Sequence, residues 1–214
     1  MPQQIWLVRH GNREDFGNPD WSRTAARPYD PALSPDGERQ AQEAAQVLAG
    51  AAIHRIFASP FLRTVQTAHA AAEALDLTVA LEPGIGEILP TVQEQPELLP
   101  PQVLQEHFPR LDLSHTPVGR LAYPEPEAAG LRRAANAAQA LADRYANQNL
   151  LLVTHAAPVV GIVRHLADRP ERISVPLCAI FVLERSDARW RLVQQADVSH
   201  LSDQSTSLRW AHYG

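Results

Sequence analysis

Arg9 and His10 close an apolar run, "IWLVRHGNRED", with Gly11 behind them and Arg13, Glu14 and Asp15 a few residues on. Two arginines and a histidine at the end of a strand suit a phosphate. Guanidinium N–H pairs match its oxygens, and an imidazole serves as nucleophile or proton carrier. The same arrangement, an apolar run capped by a chemically capable side chain, recurs along the chain. "RIFASPFLRTVQTA" places Arg63 about one helical turn beyond the end of a second run, "VALEPGIGE" delivers Glu87 after a Pro-Gly turn, and "LLLVTHAAPV" carries His155. A phosphate monoester needs a nucleophile, cations on its non-bridging oxygens and a proton for the departing alkoxide, and these residue types supply all three. Singly each has an ordinary explanation: a surface arginine, a solvated glutamate, a satisfied core histidine. Their repetition at run ends is what marks them.

That repetition matters only if the fold gathers the run ends at one edge. Strand-like runs lie at residues 5–8, 53–58, 77–81, 150–154 and 179–183, with a further candidate at 190–194. Helical stretches alternate with them at 33–50, 59–76, 127–147 and 157–168, two of them opening on Ser-Pro, at Ser34 and Ser59. Alternation of this kind predicts a three-layer α/β/α fold with a mostly parallel sheet, whose strands all present their carboxyl ends at one edge. Two segments interrupt it. Residues 16–33 are rich in Pro, Asn, Asp and Arg, and residues 82–126 hold nine of the 18 prolines. Neither has the apolar periodicity for a core of its own, so both read as long connections over one edge, the second containing a Pro-rich lid insertion at about 88–126. The expectation is one domain over residues 1–214.

Composition removes other chemistries. There is no lysine, so no nucleotide P-loop, and all 19 basic residues are arginines. A net charge of -5 argues against a nucleic-acid partner. The longest apolar run is about the length of "VPLCAIFVL", too short for a bilayer, and "MPQQIWLVRH" is not a leader, so no membrane association and a cytoplasmic location are expected. Cys178 is the single cysteine, and six residues beyond it stands Glu184 rather than the arginine of a cysteine phosphatase, which makes it a core residue. The nine histidines show no His-x-His or His-x-x-x-His spacing and no aspartates lie two apart, so neither a metal nor a cofactor is expected.

Taken together, "LVRHG", "SPFLRTVQTA", a downstream glutamate and "LLVTHAAPV" resemble the histidine phosphatase superfamily, with its phosphoglycerate mutase-like fold, over nearly the whole chain. A closer similarity is to the phosphatase domain of the suppressor of T-cell receptor signalling proteins, in which a second arginine follows Arg-His-Gly as Arg13 does here. Two features depart from the pattern: Asn12 stands where glutamate is frequent, and "HAAP" replaces the His-Gly-Gly common among the mutases. The resemblance implies that His10 attacks phosphorus, that Arg9, Arg63 and His155 hold the phosphoryl oxygens, that Arg13 extends the cradle, and that Glu87 is the general acid. The implied activity is metal-independent phosphomonoester hydrolysis of a phosphorylated small molecule or phosphopeptide, with oligomeric state open. A phosphoglycerate mutase-type phosphotransferase and a non-catalytic phosphate-binding module are the alternatives.

Overall fold

Leu150–Thr154, five consecutive buried residues, form the strand on which the sheet is built. A run without polar alternation is stable only with both faces covered, and this one sits at the middle of a seven-stranded sheet. The structure, a computed structural model, describes residues 2–167, 173–186, 189–205 and 212–213. In chain order its elements are β1 (Gln4–Arg9), α1 (Trp21–Thr24), α2 (Pro35–Leu48), β2 (Arg55–Ala58), α3 (Leu62–Leu75), β3 (Val79–Leu81), α4 (Pro101–His107), β4 (Leu111–Asp112), α5 (Glu127–Arg144), β5 (Leu150–Thr154), α6 (Ala156–Leu166), β6 (Ile173–Ser174), β7 (Ile180–Ser186), β8 (Arg189–Asp197) and β9 (His212–Tyr213). The sheet order is β4-β3-β2-β5-β1-β7-β8. The five strands from β4 to β1 are parallel, and β7 and β8 continue antiparallel. Ile5, Leu7, Phe57, Leu150 and Leu152 pack on one face against α5 and α6. Val8, Ile56, Ala58, Leu151 and Val153 pack on the other, against α2 and α3. This is the mostly parallel, helix-flanked sheet expected from the sequence.

Element boundaries shift for local reasons. β2 begins at Arg55 rather than at residue 53, because the Ile53 amide turns back to the Ala51 carbonyl (2.8 Å) before pairing with β5 starts. α3 begins at Leu62 with Phe61 as its N-cap, and Ser59 is not a cap. α6 runs to Leu166, and Asp168, the last residue of the helix expected there, lies outside the described residues. Residues 82–126 are more than a connection: they supply α4 and the two-residue edge strand β4, and Leu104 and Leu111 are buried in the α2–α3 core. A strand that short has no alternation to betray it. Among the described residues no helix is long and apolar enough to cross a membrane.

One contact fixes the carboxyl end of β1. Ser34 caps α2, its Oγ accepting from the Gly37 amide (3.2 Å), and the Ser34 amide donates to the Asn12 carbonyl (2.9 Å). The first turn of α2 thereby lies backbone to backbone on the segment after His10. A Cβ on Gly37 would stand 2.0 Å from the Asn12 oxygen, and one on Gly11 would stand 2.5 Å from the Gly37 oxygen. Replacing a helical glycine by alanine ordinarily gains up to about 1 kcal/mol. Here the collision is with main chain, which cannot rotate away, so Gly37→Ala is expected to destabilise by about 2 kcal/mol, within the usual range for overpacking. Urea denaturation checks the sign, and a stabilised Gly37→Ala protein would refute the contact.

Candidate active site

The ends of β1, β5, β2 and β3 deliver the predicted residues to one edge of the sheet. His10 follows β1 and its amide donates to the Thr154 carbonyl of β5 (3.0 Å), which places it beside His155, the N-cap of α6. The two imidazoles meet edge to face with centroids 5.3 Å apart, and both are fully buried. Arg63, in the first turn of α3, is 1% exposed. Its Nη2 lies 3.4 Å from Glu87 Oε2, and the same carboxylate oxygen is 3.3 Å from His155 Nδ1. His10, Arg63, Glu87 and His155, drawn from four separate segments, therefore converge.

A hydrogen bond decides the tautomer of His10. His10 Nδ1 lies 2.8 Å from the Gly11 carbonyl, which can only accept, so this nitrogen carries the proton. Burial, and then the charges of Arg63, Arg9 and Arg13, hold the His10 imidazole well below its ordinary value of 6.5. The ring is therefore neutral near pH 7, and Nε2 keeps a free lone pair. His155 is held low in the same way, by burial first and then by Arg63. Its Nδ1 lies 3.3 Å from the Glu87 carboxylate without a hydrogen bond to it, and its Nε2 lies 2.7 Å from Ser59 Oγ, a hydroxyl able to give or take the proton. The site thus holds two neutral imidazoles, one with an open Nε2 lone pair and one whose Nδ1 has no hydrogen-bond partner.

The arginines are engaged to different extents. Arg9 is buried, with Nη1 donating to the Val175 carbonyl (2.6 Å). Arg63 donates from Nη1 to the Tyr29 carbonyl (3.1 Å), while its buried Nε–H has no hydrogen-bond partner. Burial pushes its guanidinium down to about 10. Arg13, expected to extend the cradle, makes a two-point pair with Asp15 (2.9 and 2.6 Å) and lies over the Phe16 ring. Its charge still reaches both histidines. Cys178 is buried with its thiol pushed upward by burial, and its amide donates to the His10 carbonyl (3.3 Å) from a left-handed backbone, φ 53. Its contribution to the site is a backbone bond.

Three supporting residues are not legible as such in the sequence. Ser59 reads there as a helix cap, yet its hydroxyl lies against His155 Nε2 (2.7 Å). Asp30, inside the connection 16–33, accepts from the Leu62 amide (2.7 Å) and so caps α3 below Arg63. Tyr123, within 88–126, donates its hydroxyl to the Glu87 carbonyl (2.9 Å). A period-based reading finds none of them, because each acts across the chain from irregular backbone.

His10, Glu87 and His155 each offer a ligand atom, all within 4.8 Å of one another, and this donor set is compatible with a divalent cation on spacing alone. The surrounding field is unfavourable to one: burial first, and then the charges of Arg63 and its neighbours, keep protons off both histidines, and those positive charges oppose another cation in the same place. They favour an anion, and an anion with several oxygens can use the Arg63 and His155 donors together. A separate cavity of about 440 Å3, lined by residues such as Arg55, Phe57, His115 and Tyr145, contains none of these groups.

Residues 5–198 match the Histidine phosphatase superfamily (branch 1). The chain is 30% identical over 214 residues to the probable phosphoglycerate mutase GpmB of Proteus mirabilis, covering 94% of this chain and 95% of that protein. It is 29% identical over 209 residues to the probable phosphoglycerate mutase GpmB of Erwinia tasmaniensis, with the same coverage of 94% and 95%. Among solved structures, the ecdysone phosphate phosphatase of Bombix mori in complex with tungstate aligns with a TM-score of 0.77 at 22% identity, over 95% of this chain and 96% of its own. A phosphoserine phosphatase from Entamoeba histolytica in complex with phosphoserine aligns with a TM-score of 0.61 at 21% identity, over 93% and 99%. At these identities the two structures bear on the fold.

The neutral histidines have a consequence for stability. Below the ordinary value of 6.5, the unfolded chain takes up protons at His10 and His155 that the folded protein refuses, so stability falls as pH drops from 6.5 toward the lowered values. Above 6.5 their contribution is fully present. Each such histidine adds roughly 1 kcal/mol per pH unit to the slope, so His10→Asn is expected to flatten the decline in unfolding free energy between about pH 6 and pH 5. Urea titrations at several pH values read this directly, and an unchanged slope would assign the missing protons elsewhere.

Proposed function

The chain belongs to the histidine phosphatase superfamily, branch 1, and from that premise we propose that it hydrolyses phosphate monoesters through a phosphohistidine formed on His10. One observation carries the reading: the open lone pair of a neutral His10 stands within the field of Arg63, whose buried Nε–H has no protein partner. A nucleophile and an uncommitted anion donor at one sheet edge are what phosphoryl transfer requires.

In the proposed reaction His10 Nε2 forms a bond to phosphorus while the bond from phosphorus to the leaving oxygen breaks. The leaving oxygen takes that electron pair and a proton from the Glu87 carboxyl, and departs as the alcohol. The phosphorylated ring keeps its Nδ1–H on the Gly11 carbonyl, which steadies the positive charge it gains. Glu87, now a carboxylate, removes a proton from water as the water oxygen attacks phosphorus. The phosphorus–nitrogen bond breaks, phosphate leaves, and His10 is neutral again. Arg9, Arg63 and His155 hold the non-bridging oxygens throughout, and Arg13 adds charge at the rim. Residues 88–126 wall the leaving-group side, through Tyr123 at Glu87. We further propose that the domain extends over residues 1–214, that no metal takes part, that the substrate is a phosphorylated small molecule or phosphopeptide, and that Arg13 aligns the chain with the phosphatase domain of the suppressor of T-cell receptor signalling proteins. A phosphoglycerate mutase is the second reading, favoured by the names of the relatives at 29% and 30% identity. "HAAP" in place of His-Gly-Gly weighs against it.

Hydrolysis of p-nitrophenyl phosphate and of an alkyl phosphate is expected in the presence of EDTA, with His10→Ala reducing both to background while circular dichroism still shows a folded protein. Acid-quenched wild-type enzyme should carry an acid-labile phosphoryl group on His10. Interconversion of phosphoglycerates that outpaces hydrolysis would favour the mutase, and turnover in His10→Ala would end the covalent mechanism.

An acid matters in proportion to the leaving group's need for a proton. Glu87→Gln is therefore expected to slow an alkyl phosphate by roughly 10²-fold while costing p-nitrophenyl phosphate far less. Equal losses on the two substrates would remove Glu87 from the role.

A further inference from the structure

Glu87 sits in irregular backbone, directly after a 3-10 turn at Pro83–Ile85, so neither a helix nor a strand holds its side chain in place. A side chain leaves the backbone in a direction set by the two peptide planes that flank its Cα. In this loop both planes are held from outside, and by the same group. Arg133, in the second turn of α5 and 12% exposed in its side chain, donates to the carbonyl of Gly86, before Glu87, from Nη1 and Nη2 (3.3 Å each). It donates from Nη2 to the carbonyl of Glu87 itself (3.4 Å) and from Nη1 to that of Gly84 (2.9 Å). Its remaining edge is fixed by Glu125, whose two carboxylate oxygens accept from Nε and Nη2 at 2.7 and 2.6 Å.

We propose that Arg133 is a positioning residue for the general acid: held by Glu125, it clamps the peptide planes on both sides of Glu87 and so aims the carboxyl at the leaving oxygen. The inference rests on the general-acid reading of Glu87. All five N–H groups of the guanidinium find acceptors among Glu125 and the loop carbonyls, a planar fork that an ammonium group cannot reproduce. The contacts are to main-chain oxygens, so the clamp acts on the conformation of Glu87 and not on its charge through a direct pair. Tyr123 adds a second hold on the same Glu87 carbonyl (2.9 Å). A buried ion pair such as Arg133–Glu125 is poor evidence of stabilisation by itself, since desolvation offsets its attraction. Its placement across one loop turn gives it a use beyond stability.

The experiment compares kcat/KM for an alkyl phosphate with that for p-nitrophenyl phosphate in Arg133→Lys, Glu87→Gln and the double variant. Misplacing a catalytic group by an ångström can cost on the order of 10²-fold, so Arg133→Lys is expected to lower the alkyl-to-aryl ratio by about 10-fold. It should add nothing to the ratio once Glu87 is already glutamine. A general weakening of the fold would slow both substrates alike and add to the Glu87→Gln loss, and either result would overturn the proposal. If Glu87→Gln shifts the ratio and Arg133→Lys does not, only the positioning role fails; if Glu87→Gln does not shift it, the acid assignment fails and the positioning role with it. Should Arg133→Lys not fold, Tyr123→Phe removes one hold on Glu87 and is expected to lower the same ratio by about 3-fold, again with no effect in the Glu87→Gln background. An unchanged ratio in Tyr123→Phe would then count against the proposal.

Discussion

Burial of the Arg63 guanidinium is the constraint around which the site is arranged. Removing a charge from water costs several kcal/mol per ion even after relaxation, so a buried arginine demands partners. The chain supplies a carbonyl from Tyr29, the nearby charges of Asp30 and Glu87, and the face of the Phe61 ring at 4.7 Å from the guanidinium carbon. It does not supply a partner for Nε–H. The compensation is incomplete, and its shortfall has two effects in one field. Added to burial, it keeps protons off His10 and His155, and it favours an anion in the same place. In the proposed reaction a nucleophilic imidazole and an attraction for phosphate are thus not separate devices.

Holding that charge at the end of a sheet depends on main chain more than on side chains. The parallel register of β1 on β5 sets His10 beside His155, and the first turn of α2 on Gly11 and Asn12 stops the segment after β1 from lifting away. At the other side, Glu82, fully buried, roots the loop that carries Glu87: its carboxylate accepts from the amides of Gly84, Val118 and Gly119 (2.8, 2.8 and 3.0 Å) and lies 3.1 Å from His115 Nε2. A carboxylate that accepts several amides acts as a knot in irregular backbone, which has no ladder of its own to hold it.

Periodicity determines how much of this the sequence discloses. Long apolar runs such as Leu150–Thr154, and the Ser34-Pro35 opening of α2, carry local signals strong enough to fix the element and its end, and the residues at those ends are found with them. The converging set of His10, Arg63, Glu87 and His155 is legible for that reason. The engaged state of Arg13 is not, because a pair with Asp15 two residues away looks the same in a sequence as two free charges. Ser59 shows the converse limit: a Ser-Pro pair reads as a cap, but the strand end before it leaves its hydroxyl facing His155. β4 and the contacts of Asp30, Glu82 and Arg133 join segments distant in the chain, for which no local pattern exists.

The position of Glu87 gives the proposed mechanism an internal logic. Its carboxylate faces Arg63 Nη2 at 3.4 Å and His155 Nδ1 at 3.3 Å, two donors that a phosphoryl oxygen would use. It is the cradle's own anion. A phosphate monoester brought to the same donors stands within a few ångströms of Glu87, so in the proposed reaction the carboxyl lies close to both the leaving oxygen and the water that follows it. In that reaction the proton given to the leaving oxygen leaves a carboxylate beside a phosphohistidine whose ring is positive, at the step where a base is required. One glutamate can serve both proposed half-reactions because it shares its donors with the phosphate.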